Sequence, residues 1–314
     1  TRVIVEGGRA TGMEWRSGGQ PFRAAARGEV ILSAGAIGTP HLMQLSGLGP
    51  AAHLSAHGIS VIRDMPGVGA HLRDHLQVRV AYRATGRFTF NDDMRSPLRM
   101  AMVGLRYLLW GKGPLTVSAG YAGGFFRVQP GADRPDMQLY CINYSTTKMG
   151  DRLHPYPGFT VSACPLRPTS EGSVMLCSPD PFTAPAIDPN YLASENDRRL
   201  TVAGIRLIRD IMGQPAIQPF VEREDEPGTD ITDDNGLLSY SRARAASLYH
   251  PTCTARMGDF ADAVVDQCLR VRGVDGLRIV DGSVTPTLVS GNTHAPIVMI
   301  GEKASDMILE DAQI

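Results

Sequence analysis

The stretch from Glu29 to Pro40 constrains the fold more than any other. Glu29-Val30-Ile31-Leu32-Ser33 is an apolar run of strand length that ends at Ala34-Gly35, and Thr39-Pro40 follows with the signature of a helix start. A hydroxyl residue can accept a bond from the first helical amides, and proline suits the first turn because the N–H it lacks would be unpaired there. The helix predicted from here stops at Gly47. A buried strand that passes through a glycine turn into a helix N-terminus is the layout of a nucleotide-binding α/β unit.

On the N-terminal side, Val3-Ile4-Val5, the Gly7-Gly8 turn, Ala10 to Trp15 and the Gly18-Gly19 turn read as short strands. From about Leu76 to Leu248 the texture changes to alternating runs split by Pro and Gly: Gln77 to Tyr82, Met137 to Ile142, Phe159 to Cys164 and Ser173 to Cys177. Such runs predict an antiparallel sheet. Leu200, Ala203, Ile205, Leu207, Ile208 and Ile211 fall at helical spacing within a helix predicted over Glu195 to Met212, and Met100 to Trp110 is a second apolar helix. Glu222 to Asp234 reads as an acidic, solvated loop. After Tyr249 the first texture returns, with a strand from Leu277 that ends at Asp281 and a helix over Pro296 to Leu309. The predicted fold class is therefore α/β (α+β overall). Residues 1–80 and 249–314 form a discontinuous Rossmann-like domain, and an antiparallel-sheet domain over 81–248 is inserted into it.

The bulk numbers exclude some functions. A formal net charge of -1 gives no support for nucleic-acid or membrane-surface binding, either of which needs a clustered basic patch. No run of 18 apolar residues is present to span a bilayer, and residues 1–15 lack the apolar core of a signal peptide. The five cysteines, Cys141, Cys164, Cys177, Cys253 and Cys268, form no C-x-x-C pair, so they read as buried free thiols of a reducing, cytoplasmic compartment. The sequence opens on Thr1 directly before a strand, which suggests a piece cut from a larger protein.

Three blocks carry the chemistry: Gly35 to Gly49 (GAIGTPHLMQLSGLG), His250 to Gly258 (HPTCTARMG) and Asp281 to Ile300 (DGSVTPTLVSGNTHAPIVMI). With a fourth, Pro66 to His75 (PGVGAHLRDH), they closely resemble the glucose-methanol-choline (GMC) oxidoreductases, flavoenzymes that oxidise alcohols with FAD, and the flavour is closest to the choline and alcohol dehydrogenase branch. The resemblance runs over nearly the whole chain in the family's block order. It implies FAD-dependent oxidation of an alcohol to an aldehyde, with His250 as general base and hydride transfer to flavin N5. His294 would stand opposite, where family members carry His or Asn. Backbone near Thr293, His294 and Ala295 would contact the flavin, Asp281 and Gly282 the ribityl–diphosphate portion, and Val3 the adenine, with Gly35 and Ala36 as weaker cofactor candidates. The partners implied are a small alcohol and either oxygen or a quinone-type carrier, with membrane association through that acceptor as an alternative to a freely soluble enzyme.

The chemistry agrees on its own terms: removing a hydroxyl proton needs a base that titrates near neutrality, and the hydride needs a cofactor as electron sink. Tyr249, Tyr140 and Tyr144 are candidates to line the alcohol pocket, with core packing as the equal alternative. Gly47-Leu48-Gly49 with Ala52 mimics a dinucleotide fingerprint but follows a helix, so it is rejected as a phosphate loop. His71 and His75 lie four apart, yet Leu72 stands where a zinc helix would carry glutamate, so no metal is expected.

Two departures from the family are visible. Cys253 stands where the family usually has glycine, and Ala255 where it often has cysteine. The diphosphate-binding Gly-x-Gly-x-x-Gly is absent from the 314 residues, so the first domain is expected to be an incomplete FAD-binding fold. A cofactor-free scaffold without activity of its own, or a redox-neutral relative of the hydroxynitrile-lyase type, are the alternatives.

Overall fold

Gly7-Gly8 and Gly18-Gly19 all take positive φ, the left-handed conformation that tight hairpins require. They fold the first residues of this computed structural model, which describes residues 1–117, 120–148 and 150–312, into a three-stranded antiparallel sheet of β1 (Arg2–Glu6), β2 (Arg9–Ser17) and β3 (Gln20–Ala25). Next come β4 (Val30–Leu32), α1 (Gly35–Leu45), the short parallel pair β5 (Leu48–Gly49) and β6 (Arg63–Asp64), and α2 (Ala51–Ala56) between them. Gly47, between α1 and β5, has φ +79 and turns the chain close against the Ser60 carbonyl.

The chain continues with β7 (Leu76–Ala84), α3 (Phe90–Arg95), α4 (Pro97–Trp110), β8 (Ala122–Phe126), β9 (Met137–Ile142) and β10 (Gly158–Pro165). After the small hairpin of β11 (Ser173–Met175) and β12 (Ala186–Asp188) follow α5 (Glu195–Met212), β13 (Val221–Glu226), α6 (Asp234–Arg244) and β14 (Ala246–Ser247). The last elements are β15 (Leu277–Ile279) and α7 (His294–Ala312).

Two units result, each with its own core. Residues 1–74, 168–193 and 249–314 form the first, built around Val30, Leu32, Met43, Val265, Leu277 and Ile279. Its parallel pair β4–β15 (Val30 opposite Leu277, Leu32 opposite Ile279) is the α/β feature predicted from Glu29 to Gly35 and from Leu277. Residues 75–167 and 194–248 form the second unit, an antiparallel sheet in the order β13-β7-β10-β9-β8 with α5 against it. Gly204 lets α5 approach closely, since a Cβ there would lie 2.7 Å from Ala163 Cβ. The mixed α and β class is as predicted.

Three local expectations are corrected. Residues 168–193 belong to the first unit although they lie within 81–248, because Gln44 on α1 bonds both the Val174 carbonyl (2.9 Å) and the Leu176 amide (2.9 Å). Glu222 to Asp234 is not all solvated loop: Val221–Glu226 is a strand on β7, and Glu224 is buried in an ion pair with Arg209 (2.7 Å). α1 starts at Gly35, not at Thr39-Pro40. Thr39 donates its hydroxyl to Asp281 and receives the Ala34 amide, and Pro40 sits inside the helix.

Candidate active site

Because β4 and β15 are parallel, their carboxyl ends lie on the same side, the edge at which open α/β sheets bind ligands. Asp281 ties the two ends together. One of its oxygens accepts the Gly35 amide (2.9 Å) and the Thr39 hydroxyl (2.6 Å), and the other accepts the Ser283 amide (2.8 Å) and hydroxyl (2.5 Å). With four donors the carboxylate is saturated by this chain, so it shapes the strand ends, and any approach to a ligand here falls to backbone. Gly35 holds φ +78, which a side chain rarely adopts, and Ala36 beside it is buried.

The His250 segment is fastened to this edge along its length. Tyr249, 75% exposed, and Cys253, fully buried, both take left-handed φ (+60 and +73) and bracket the His-Pro dipeptide. The φ at Cys253 gives the physical reason for glycine at that position in the family. The Cys253 thiol instead packs beside the hydroxyls of Thr252 (3.3 Å) and Thr285 (3.6 Å), and burial pushes its pKa up. Thr252 exchanges backbone bonds with Arg73 (2.9 and 3.2 Å), while Ala255 and Met257 donate to Ser283 and Val284 (2.9 and 2.8 Å).

Two residues that sequence reasoning missed hold the segment. Asp74 accepts the His250 amide (2.8 Å) on one oxygen and the Tyr191 hydroxyl on the other. Thr254 donates its hydroxyl to the Ala36 carbonyl (2.7 Å). That carbonyl would normally accept the amide of residue 40, but Pro40 has no N–H, so Thr254 fills the vacancy. Both residues lie in blocks singled out from the sequence, yet their partners are far along the chain, and Pro40 was the only local hint.

His250 itself is 9% exposed. Burial holds its imidazole below the ordinary 6.5, and the Asp74 carboxylate acts in the opposite direction. The ring is thus favoured in its neutral, proton-accepting form.

The second histidine stands at a helix start. α7 begins at His294, not at Pro296, and the first intrahelical bond of its opening turn runs from the Ile297 amide to the Thr293 carbonyl (3.1 Å). Pro296 has no N–H, so the amides of His294 and Ala295 have no intrahelical acceptor. Both residues are exposed, and Thr293 is buried. The start of α7 and the His250 segment meet on Gly282, where a Cβ would lie 3.0 Å from Ile297 Cδ1 and 3.7 Å from Thr252 Cγ2. His250 lies two residues before Thr252, and His294 one turn before Ile297.

Val3, on β1, is buried, and its amide donates to Ser46 Oγ (2.8 Å) at the end of α1. A hollow of about 870 Å³ runs along β1, walled by Val3, Val5, Phe22 and Ile62 among others. Tyr140 and Tyr144 are half-buried in the second unit, Tyr140 on β9 and Tyr144 just beyond it with its carbonyl accepting the Thr160 hydroxyl (2.9 Å). His71 bridges Glu171 (2.7 Å) and Asp262 (2.6 Å), and His75 bonds the Leu166 carbonyl (3.0 Å).

Two models of the GMC oxidoreductase family match, one over residues 1–77 and the other over residues 168–301. Among curated proteins, the chain is 41% identical over 310 residues to human mitochondrial choline dehydrogenase, covering 98% of this chain and 52% of that protein. It is 38% identical over 312 residues to the alcohol dehydrogenase [acceptor] of Pseudomonas putida, covering 98% and 56%. The chain therefore spans about half the length of the curated relatives it matches. Among solved structures, formate oxidase superposes with a TM-score of 0.93 at 28% identity, over 99% of this chain and 60% of that one. A fungal aryl-alcohol oxidase gives 0.82 at 27% identity, over 100% and 60%. The first family model lies on the β1–β4 region and the second on the His250 and α7 blocks, and together they show that this chain belongs to the GMC oxidoreductase family.

Proposed function

We propose that the protein oxidises an alcohol to an aldehyde with FAD as electron acceptor, and that His250 takes the hydroxyl proton. The observation that carries this reading is the meeting of the His250 segment and the α7 start on Gly282, at the carboxyl ends of β4 and β15. The alcohol class rests on the names of the relatives, human choline dehydrogenase and the P. putida alcohol dehydrogenase.

The residues present fit a flavin. The amides of His294 and Ala295 lack intrahelical acceptors, and a helix N-terminus favours an anionic group such as the pyrimidine edge of reduced flavin. Thr293, His294 and Ala295 would hold that edge. Asp281 and Gly282, with Gly35 and Ala36, would approach the ribityl–diphosphate portion through backbone, and Val3 the adenine side. When bound, FAD would supply the two-electron sink that the oxidation of the alcohol carbon requires.

This chain's own residues do the rest. Burial keeps His250 neutral at rest and so ready to accept the hydroxyl proton. The Asp74 carboxylate favours the imidazolium that results, and its bond to the His250 amide fixes where the ring starts. His294, from the other side of Gly282, would hold the alcohol oxygen and restrict its orientation. Tyr249, and Tyr140 and Tyr144 of the second unit, are the substrate-side candidates. Oxygen or a quinone-type carrier would be the final acceptor.

The test is the visible spectrum of the purified full-length protein and its alcohol-dependent reduction of an artificial acceptor. The reading expects bound flavin and acceptor reduction with a primary alcohol. Flavin-loaded protein that reduces no acceptor with any of a panel of alcohols contradicts it.

A further inference from the structure

Helix α4 is well punctuated and packs against α3 and the turn at Pro114–Thr116, yet it buries almost nothing. Ser96 caps its start with Pro97 in the first position, and Gly111 ends it in the left-handed conformation. Its sequence, PLRMAMVGLRYLLW, is mostly large and apolar, but none of its 14 residues is buried. Leu98 is 72% exposed, Leu108 80% and Trp110 65%. A helix of this length is marginal in water without a tertiary partner, and a contiguous apolar face of this kind marks an interaction surface.

The charge around it selects the partner. Between Asp93 and Asp133 the chain carries no acidic residue and five basic ones, Arg95, Arg99, Arg106, Lys112 and Arg127, although the whole chain has a net charge of -1. A hollow of about 580 Å³ on the helix is walled by Met102, Leu105 and Trp110; Arg99 at its rim is paired with Asp93 (3.9 Å), and Arg106 and Lys112 add two further cations. A two-fold contact with a second copy would set these cations against themselves. Among the described residues no helix is long and apolar enough to cross a membrane. Apolar face, cationic rim and a terminal tryptophan together are the composition of a helix that lies in a bilayer interface.

We propose that α4 docks the protein onto an anionic phospholipid surface. Its leucines and Trp110 enter the boundary between headgroups and acyl chains, and Arg106 and Lys112 face the lipid phosphates. This inference stands independently of the proposed oxidation.

The experiment is co-sedimentation of the full-length protein with vesicles of phosphatidylcholine, with and without phosphatidylglycerol. It is paired with fluorescence of a Trp15→Phe variant, which leaves Trp110 as the only tryptophan of residues 1–314. The wild type is expected to sediment with the anionic vesicles, less so at high salt, and Trp110 emission to shift to the blue. Leu105→Glu with Leu108→Glu is expected to abolish both effects. Arg106→Ala with Lys112→Ala, two surface changes that leave the apolar face intact, should weaken binding by roughly 30-fold, about fivefold for each cation. The inference is overturned if the wild type stays in the supernatant, as it would if another segment or a second copy covers α4. It is equally overturned if the leucine variant binds as well as the wild type.

Discussion

His250 and His294 stand on backbone of opposite kinds. The His250 segment is bracketed by left-handed residues, tied by main-chain bonds to the loop after β15, and held by Asp74 and Thr254. Its ring is buried. His294 opens a helix whose first amides have no intrahelical acceptor, and it is exposed. The difference suits two tasks. A base must be held in one place and kept neutral, which burial and backbone anchoring provide. A residue that steadies a substrate oxygen and borders an anionic cofactor edge needs unpaired donors, which only a helix start or a loop offers.

The comparison breaks most visibly at His250. His250→Ala in the full-length protein is expected to cut alcohol turnover by about 10²–10⁴-fold, the usual worth of a general base. Steady-state rates with an artificial acceptor check it, and unchanged turnover would remove His250 from the chemistry. His294→Ala should cost less, about 10–100-fold, the worth of one hydrogen bond to a charge developing in the transition state. A larger loss at His294 than at His250 would reverse the assignment of roles.

Thr254 tests the anchoring. Thr254→Val leaves the Ala36 carbonyl without a donor and should destabilise by about 1–3 kcal/mol in urea unfolding. Pro40→Ala restores an amide at the position that would serve that carbonyl. In that background Thr254→Val should cost less. Equal costs in both backgrounds would mean that the hydroxyl does not substitute for the missing amide.

Acidity tests the burial of His250. A folded-state pKa below the unfolded one means that the neutral ring contributes stability in full above the unfolded value. The contribution is lost as pH falls through 6.5 toward the lower folded value. The acid limb of kcat/KM should therefore lie below 6.5, and Asp74→Asn should move it lower still, since the carboxylate raises the proton affinity of the ring. An acid limb above 6.5 would argue that the base is another group.

The smallest effect is expected at Cys253. Cys253→Gly relieves a left-handed conformation worth about 1–2 kcal/mol but gives up a buried side chain worth about 1 kcal/mol. Thermal unfolding should shift by no more than about 1 kcal/mol in either direction.

Which features were legible follows from how far each signal reaches along the chain. The strand before Gly35, the strand at Leu277 and the helix over Glu195–Met212 are set by local apolar runs and spacing, and they were readable. Thr39-Pro40 looked like a helix start because a capping hydroxyl and a buried bonding hydroxyl have the same local sequence. Only Asp281, 242 residues away, distinguishes them. Glu224 looked solvated because its partner Arg209 belongs to another element. Asp74 and Thr254 were invisible for the same reason. The proposed pairing of His250 with His294 rests on the family blocks alone, since neither histidine carries a local sign of the other.

The most direct measurement is anaerobic mixing of the flavin-loaded, full-length protein with a primary alcohol, following the visible flavin absorbance in wild type and His250→Ala across a range of pH. The account predicts rapid bleaching in the wild type that persists below pH 6.5 and slows by about 10²–10⁴-fold in the variant. Bleaching at the same rate in both proteins would contradict it.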